Sequence, residues 1–408
     1  MDRRTLLKFG ANALGMGLLP LGGAAWGARL PQPGPRLVVV FLRGAVDGLN
    51  VVVSYADGLY YEYRPTIAVG RPGTSDGVID LDGHFGLHPA LASLQPLWKN
   101  RQLAFIHSCG SPDPDRSHFE AQAYMETATP GIPSTTTGWM NRLATAMRLH
   151  QAADVVAFGT TTPLIVRGPA PVATFPTGRA ATHPEAMNRG RVQAAFDHVY
   201  LNDSRLGGTY REALRTRSTL LRALDADMSA SAQGAPDPSG FPADAVRAAH
   251  MMTADPKLRL VFFQLGGWDT HVAEGAGTGQ LANHLKPLGD GLAAFTTALG
   301  PQWCNTVVMV VSEFGRTVRE NGNHGTDHDH GNAHWVLGGA IGGGHVYGDW
   351  RGLSESELHQ NRDLPVTTDF RSVITLIAQR HLNVDSAALR AVLADYAPGT
   401  ASLDRLFA

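Results

Sequence analysis

Short apolar runs alternate along this chain with longer stretches of helical periodicity, and that alternation narrows the possible folds more than any other feature. The runs at 37–42, 103–107, 155–158, 258–265 and 306–311 are rich in Val, Leu and Phe. Unbroken hydrophobicity over four to eight residues is what a strand shows when both its faces are covered. Between the runs, segments starting at Pro89, 117–127 and 280–299 carry apolar residues at helical spacing. The expected fold class is therefore α/β: a mixed, mostly parallel sheet with helices on both faces. Residues 332–350 read as two short strands joined by the glycines of 338–344, and 185–254 as a helical insertion with a break at 233–242. A chain of 408 residues, 43% of them hydrophobic, is long enough to bury a large core, and 31–408 reads as one domain.

The amino terminus reads as an address. Arg3-Arg4 and Leu6-Leu7-Lys8 precede an apolar, Gly/Ala-rich run that ends near Ala25. This is the layout of a twin-arginine signal peptide over 1–30, cut after export to the periplasm or beyond. The twin-arginine translocase is then the export partner, and no stable membrane span remains after cleavage. The run is short and diluted by glycine for a span, which needs about 20 apolar residues. Cys109 follows one strand and Cys304 precedes another, at opposite ends of a parallel sheet, so no disulfide is expected. A formal charge of −2 gives no electrostatic basis for nucleic-acid binding.

Four strand ends carry polar clusters. The first strand leads into Arg43, Gly44, Asp47 and Gly48; the second into Asp113, Asp115, Arg116, Ser117 and His118. The run at 258–265 leads into Gly266-Gly267-Trp268-Asp269-Thr270-His271, and that at 306–311 into Ser312-Glu313-Phe314-Gly315-Arg316. Ligands of open α/β sheets bind at the carboxyl ends of the strands, so these clusters are expected to build one site. A fifth segment, 324–334, holds four of the chain's 17 histidines. Carboxylates and imidazoles without thiolates suit zinc, manganese or similar divalent ions. Candidate ligands are Asp47, Asp269, His271, Glu313, His328 and His330, for one ion or two. The ion expected first is zinc, with manganese, iron or calcium as alternatives. Arg43, Arg116 and Arg316 are candidates for holding the oxygens of a phosphate or sulfate, which guanidinium binds bidentately. Ser117 is the candidate nucleophile, at a helix start where free N–H groups favour an oxyanion.

Each residue also has a structural reading. Ser117-His118-Phe119-Glu120 fits the capping box S-x-x-E. Asp47-Gly48 fits a turn, Asp269 a brace for the glycine turn, Glu313 and Arg316 a structural ion pair, and the histidine segment a solvated loop. His84 and His88 read as core or surface residues. The spacing G-x-G-x-x-G is absent after the first strand, which argues against a dinucleotide oxidoreductase.

The segments 38–50 (VVVFLRGAVDGLN), 110–122 (GSPDPDRSHFEAQ), 264–271 (QLGGWDTH), 312–317 (SEFGRT) and 325–331 (GTDHDHG) resemble a bacterial family catalogued as domain of unknown function 1501. That family resembles the alkaline phosphatase and sulfatase superfamily in the order of its clusters. The resemblance implies an alkaline-phosphatase-like domain and an exported hydrolase of phosphate or sulfate esters, acting on a small anionic ester or a surface polymer. It places Asp47, Ser117 and Glu313 on one metal and nucleophile side. Asp269, His271 and one of His328 or His330 fall on the other. Phe314 stands where the superfamily usually has a ligating His, and the residues after Cys109 do not make a sulfatase formylglycine motif. One ion, two ions or a decayed site are all compatible with the resemblance. The alternative expectation is a non-catalytic exported protein that keeps the fold as a scaffold for binding.

Overall fold

The computed structural model describes residues 34–177, 231–394, 396, 399 and 401–407. The expected signal segment 1–30 and residues 185–230 of the expected insertion lie outside the described residues. Its remaining part includes a helix, Phe241–Ala254.

The apolar runs do become strands, and they assemble into one sheet. In chain order the strands are β1 (Arg36–Leu42), β2 (Leu103–Gly110), β3 (Val155–Phe158), β4 (Ala173–Phe175), β5 (Leu260–Leu265), β6 (Thr306–Ser312), β7 (Asn332–Gly338), β8 (Val346–Tyr347) and β9 (Thr368–Asp369). Their spatial order is β8-β2-β7-β6-β1-β5-β3-β4, with β9 also on β2. Pairings of β1 with β5 and β6, and of β3 with β4 and β5, are parallel. β7 runs antiparallel to both its neighbours, β2 and β6. The sheet is mixed and mostly parallel, as its continuous hydrophobic strands require.

Alternate residues of β1 enter different cores. Leu37, Val39 and Phe41 pack on one face with Trp139–Ala146 and Phe370–Leu376. Val38, Val40 and Leu42 pack on the other with Phe241–Ala254 and Gln280–Leu299. The latter helix buries Leu281, Leu285, Leu288, Leu292, Phe295 and Leu299, a stripe at alternating four- and three-residue spacing. Each such side chain contributes roughly 1.5–3 kcal/mol on leaving water. Both sheet faces are thereby covered, and the edge at the carboxyl ends of the parallel strands is left for the loops.

The direction of β7 matters for the site. Because it is antiparallel, it starts at the edge where β1, β2, β5 and β6 end. The histidine segment, which precedes β7, is therefore delivered to that same edge. A shorter three-stranded antiparallel sheet, of Val52–Val53, Ile79–Asp80 and Gly86–Leu87, follows the β1 loop. The segment from Pro33 onward forms one compact unit. Among the described residues no helix is long and apolar enough to cross a membrane.

Candidate metal centre

Asp269 is set by the turn after β5. Gly267 takes a positive φ of 88° there, and Trp268, fully buried, anchors the turn through its indole N–H on Leu265 O at 3.0 Å. Gly44, at the end of β1, has a φ of 115°, and a Cβ on it would lie 2.8 Å from the Asp269 backbone nitrogen. Only glycine allows the two strand-end loops to approach so closely. Arg316, 1% exposed, donates to Asp269 Oδ1, Ala45 O and Gly44 O, tying three loops together.

Around Asp269 stand three imidazoles from three different elements. His118 is the first residue of helix α1 (His118–Thr127), after β2. His271 follows Asp269 by two residues. His328 lies on a segment that pairs antiparallel with the residues after β6, through Thr317 N to Asp327 O at 2.9 Å and Asp329 N to Gly315 O at 3.0 Å.

Each imidazole has its Nδ1 committed outward. His118 Nδ1 donates to Glu313 Oε1 at 2.7 Å, His271 Nδ1 to Asp327 Oδ1 at 3.2 Å, and His328 Nδ1 to the Arg116 carbonyl at 2.9 Å. All three partners are acceptors only, so the neutral tautomer of each ring leaves Nε2 bare. The Nε2 atoms of His118 and His271 then both approach that of His328. His328 Nε2 is 2.9 Å from that of His118 and 3.0 Å from that of His271. Asp269 adds Oδ1 at 3.1 Å from His271 Nε2, and Oδ2 at 3.5 Å from His118 Nε2. Oδ2 is buried and has no hydrogen-bond partner. Lone pairs that close repel unless a positive charge lies among them. His118, Asp269 and His328 alone offer ligand atoms all within 4.8 Å of one another. Three imidazoles braced through Nδ1, plus one carboxylate oxygen without a partner, form a donor set that fits a divalent cation.

The electrostatics agree with that fit. Burial alone would lower the basicity of His118, but the negative charge of the Asp269 and Glu313 carboxylates beside it pushes it up to about 9. Burial would raise the acid groups, yet His118, His328 and Arg316 hold Asp269 well below the ordinary carboxylate range, and His118 and Gln122 hold Glu313 down. The pocket is built to stabilise positive charge among these atoms.

The other candidates take other positions. Glu313 is fully buried and braces the centre from behind, with Oε1 accepting from His118, Gly44 N at 2.8 Å and Gln122 at 2.8 Å. Phe314 packs its ring against His118 at 4.8 Å and His328 at 5.0 Å. It walls in these two imidazoles and adds no ligand atom of its own. Asp47 lies apart from the imidazoles. It caps the short helix Gly48–Val51, and Arg64 pairs with both its oxygens. Glu274, pushed up by burial and by Asp47, shares that buried cluster. His330 stacks on His359 at 5.0 Å, away from His328. His324 contacts Thr66 at the surface, and His334 is buried against Cys109 Sγ at 3.4 Å. Both cysteines are free.

Ser117 stands immediately before His118. It makes no side-chain cap to the helix backbone; its hydroxyl donates to Glu120. The sequence pattern S-x-x-E is thus spent on a side-chain pair. The Arg116 side chain, partly exposed, pairs with Asp363, and its carbonyl orients His328. Arg362 donates to the His328 carbonyl at 3.0 Å. Arg43 is buried and neutralised by Glu126 at 3.0 Å. Sequence reasoning missed His118 and Arg362. A signal for His118 was present: it is the one histidine in the loop after β2, in the same segment as Ser117.

The sequence matches the family described as protein of unknown function DUF1501 over residues 35–393. The chain belongs to the DUF1501 family. The strand-end loops that build the centre all fall inside the matched region. No curated protein matches the sequence. Solved structures with weak similarity include a protein of the alkaline phosphatase superfamily from Vibrio parahaemolyticus (TM-score 0.34, 12% identity, 75% of this chain and 61% of that one). Another is the PsFucS1 sulfatase from Pseudoalteromonas sp. (TM-score 0.34, 10% identity, 82% and 70%). A third is the C-terminal periplasmic domain of EcEptC from Escherichia coli (TM-score 0.33, 13% identity, 75% and 72%).

Proposed function

We propose that this DUF1501 protein is an exported, metal-dependent hydrolase of phosphate or sulfate esters. The observation that carries the reading is the gathering of three Nε2 atoms around the Asp269 carboxylate, His118 toward the partnerless Oδ2 and His271 and His328 toward Oδ1, with Ser117 adjacent in sequence to His118. His118, Asp269, His271 and His328 would hold one divalent ion, zinc foremost. A bound ion supplies Lewis-acid polarisation of the ester's oxygens. Ser117 is the nucleophile. Glu120 accepts its proton as Oγ bonds to phosphorus or sulfur and the bond to the ester oxygen breaks, and it passes that proton to the departing oxygen, which leaves as the alcohol; water then adds to phosphorus or sulfur, gives one proton through Glu120 to Oγ and releases the acid. Arg116 and Arg362 flank His328 and hold the anion's oxygens, a role to which guanidinium is suited. Arg316 and Glu313 position Asp269 and His118. Export rests on the twin-arginine pattern of residues 1–30, which places the activity in the periplasm or outside the cell.

The test is turnover of aryl phosphate and aryl sulfate by zinc-loaded protein, wild type beside Ser117→Ala. Loss of turnover in the variant with metal content unchanged is expected. Equal turnover in both removes Ser117 from the mechanism.

One observation favours a second reading, a non-catalytic binding scaffold on a decayed hydrolase fold. The Asp47 carboxylate has both oxygens on Arg64, so a second ion has no ligand there. A folded wild type that binds metal and turns over no ester supports that reading.

A further inference from the structure

A cavity of about 330 Å³ opens beside the metal centre, between helix α1, the end of β5 and the loop after β3. Its volume is at the lower end of the roughly 300–1,000 Å³ typical of small-molecule sites. It shares its wall with the centre: Phe119 follows the ligand His118, and Arg43 reaches Glu313 through Gln122.

The wall has two chemical parts. Phe119, 56% exposed, lies with Pro163 and Leu164 and offers an apolar surface. The opposite groups are polar and only partly used. Gln264 Oε1 is taken by Arg43, while its Nε2 has no protein partner among the described residues. Glu126 Oε1 accepts from Ile165 N and Arg43, and Oε2 has no partner among the described residues. The Arg167 Nε is held by the Thr162 carbonyl, and its terminal nitrogens have no hydrogen-bond partner among the described residues. Donors and an acceptor thus line the same cavity as one aromatic ring. Arg43 is already neutralised by Glu126, and that carboxylate repels an incoming anion. Arg167 is the one lining cation without a carboxylate partner among the described residues, and it is placed to donate to a hydroxyl.

We infer that this cavity is a subsite for a neutral polyhydroxylated ring, a pyranose, and that it makes the substrate class of the adjoining centre a sugar ester. A pyranose has an apolar face for Phe119 and hydroxyls that both donate and accept, matching Gln264, Glu126 and Arg167. The substrate class rests on the hydrolase reading; the binding itself does not.

The test is saturation-transfer NMR of zinc-loaded and chelator-treated full-length protein. The probes are the methyl pyranosides of glucose, galactose, fucose and N-acetylglucosamine. At least one pyranoside is expected to receive saturation with or without metal. Phe119→Ala should weaken it about tenfold or more, and Phe119→Tyr should keep it. No response to any pyranoside, or equal binding by the alanine variant, overturns the subsite. Pyranoside binding without turnover of any phosphate or sulfate ester leaves the subsite standing and removes the hydrolase reading. Ester turnover without pyranoside binding does the reverse.

Discussion

Glu313 is placed to matter to a bound ion without touching it. Its Oε1 gathers three donors, from His118, Gly44 and Gln122. Of these the bond to His118 Nδ1 fixes the tautomer that leaves Nε2 free. Acceptors in that position commonly change metal affinity by about 10–100-fold. Glu313→Gln keeps the volume and removes the charge. Its expected outcome is a zinc affinity weakened by that factor, read by competition with a chromogenic chelator, with the fold intact by circular dichroism. An unchanged affinity would show that His118 does not depend on Glu313. Phe314 makes a related point. The resemblance leads one to look for a ligand there, and the space beside His118 and His328 is filled by an aromatic ring instead.

At the scale of elements, the centre depends on loops that can nearly touch. Gly44 and Asp269 are the tightest approach, with a φ of 115° at the glycine and no room for a Cβ. Gly44→Ala should cost about 1–3 kcal/mol for the backbone conformation alone. It should also displace Asp269, so both melting temperature and metal content fall. A variant that melts like wild type and keeps its metal would show that the loop relaxes freely. Elements were also where the sequence was most and least informative. The strands could be read because buried parallel strands leave continuous apolar runs, and 280–299 could be read from its stripe. The direction of β7 could not, since hydrophobic periodicity is the same in either direction. That direction decides that His328 reaches the centre. His330, two residues on, shares the segment but stacks on His359, because side chains two apart need not share an environment on an irregular turn. His118 was hidden by its context: S-x-x-E reads as a cap, and a cap does not draw the eye to the residue inside it.

At the scale of the whole molecule, three buried neutral histidines link folding to pH. Burial pushes His88, His107 and His334 down to about 4. In the unfolded chain each titrates near 6.5. Between those values the unfolded chain binds protons that the native protein excludes, so stability falls as pH drops from about 6.5 towards about 4. Melting temperatures at a series of pH values across that window should decline steadily, and His107→Gln should make the decline shallower. A melting temperature flat over the window would mean that these rings are protonated in the native protein or reach water.

The central claim is that His118, Asp269, His271 and His328 form one divalent-metal site. Plasma emission on purified, zinc-equilibrated protein tests it, with wild type beside His118→Ala and Asp47→Asn. A stoichiometric metal is expected in wild type and in Asp47→Asn, and its loss in His118→Ala. Folded wild-type protein without metal, or metal retained in His118→Ala and lost in Asp47→Asn, would contradict it.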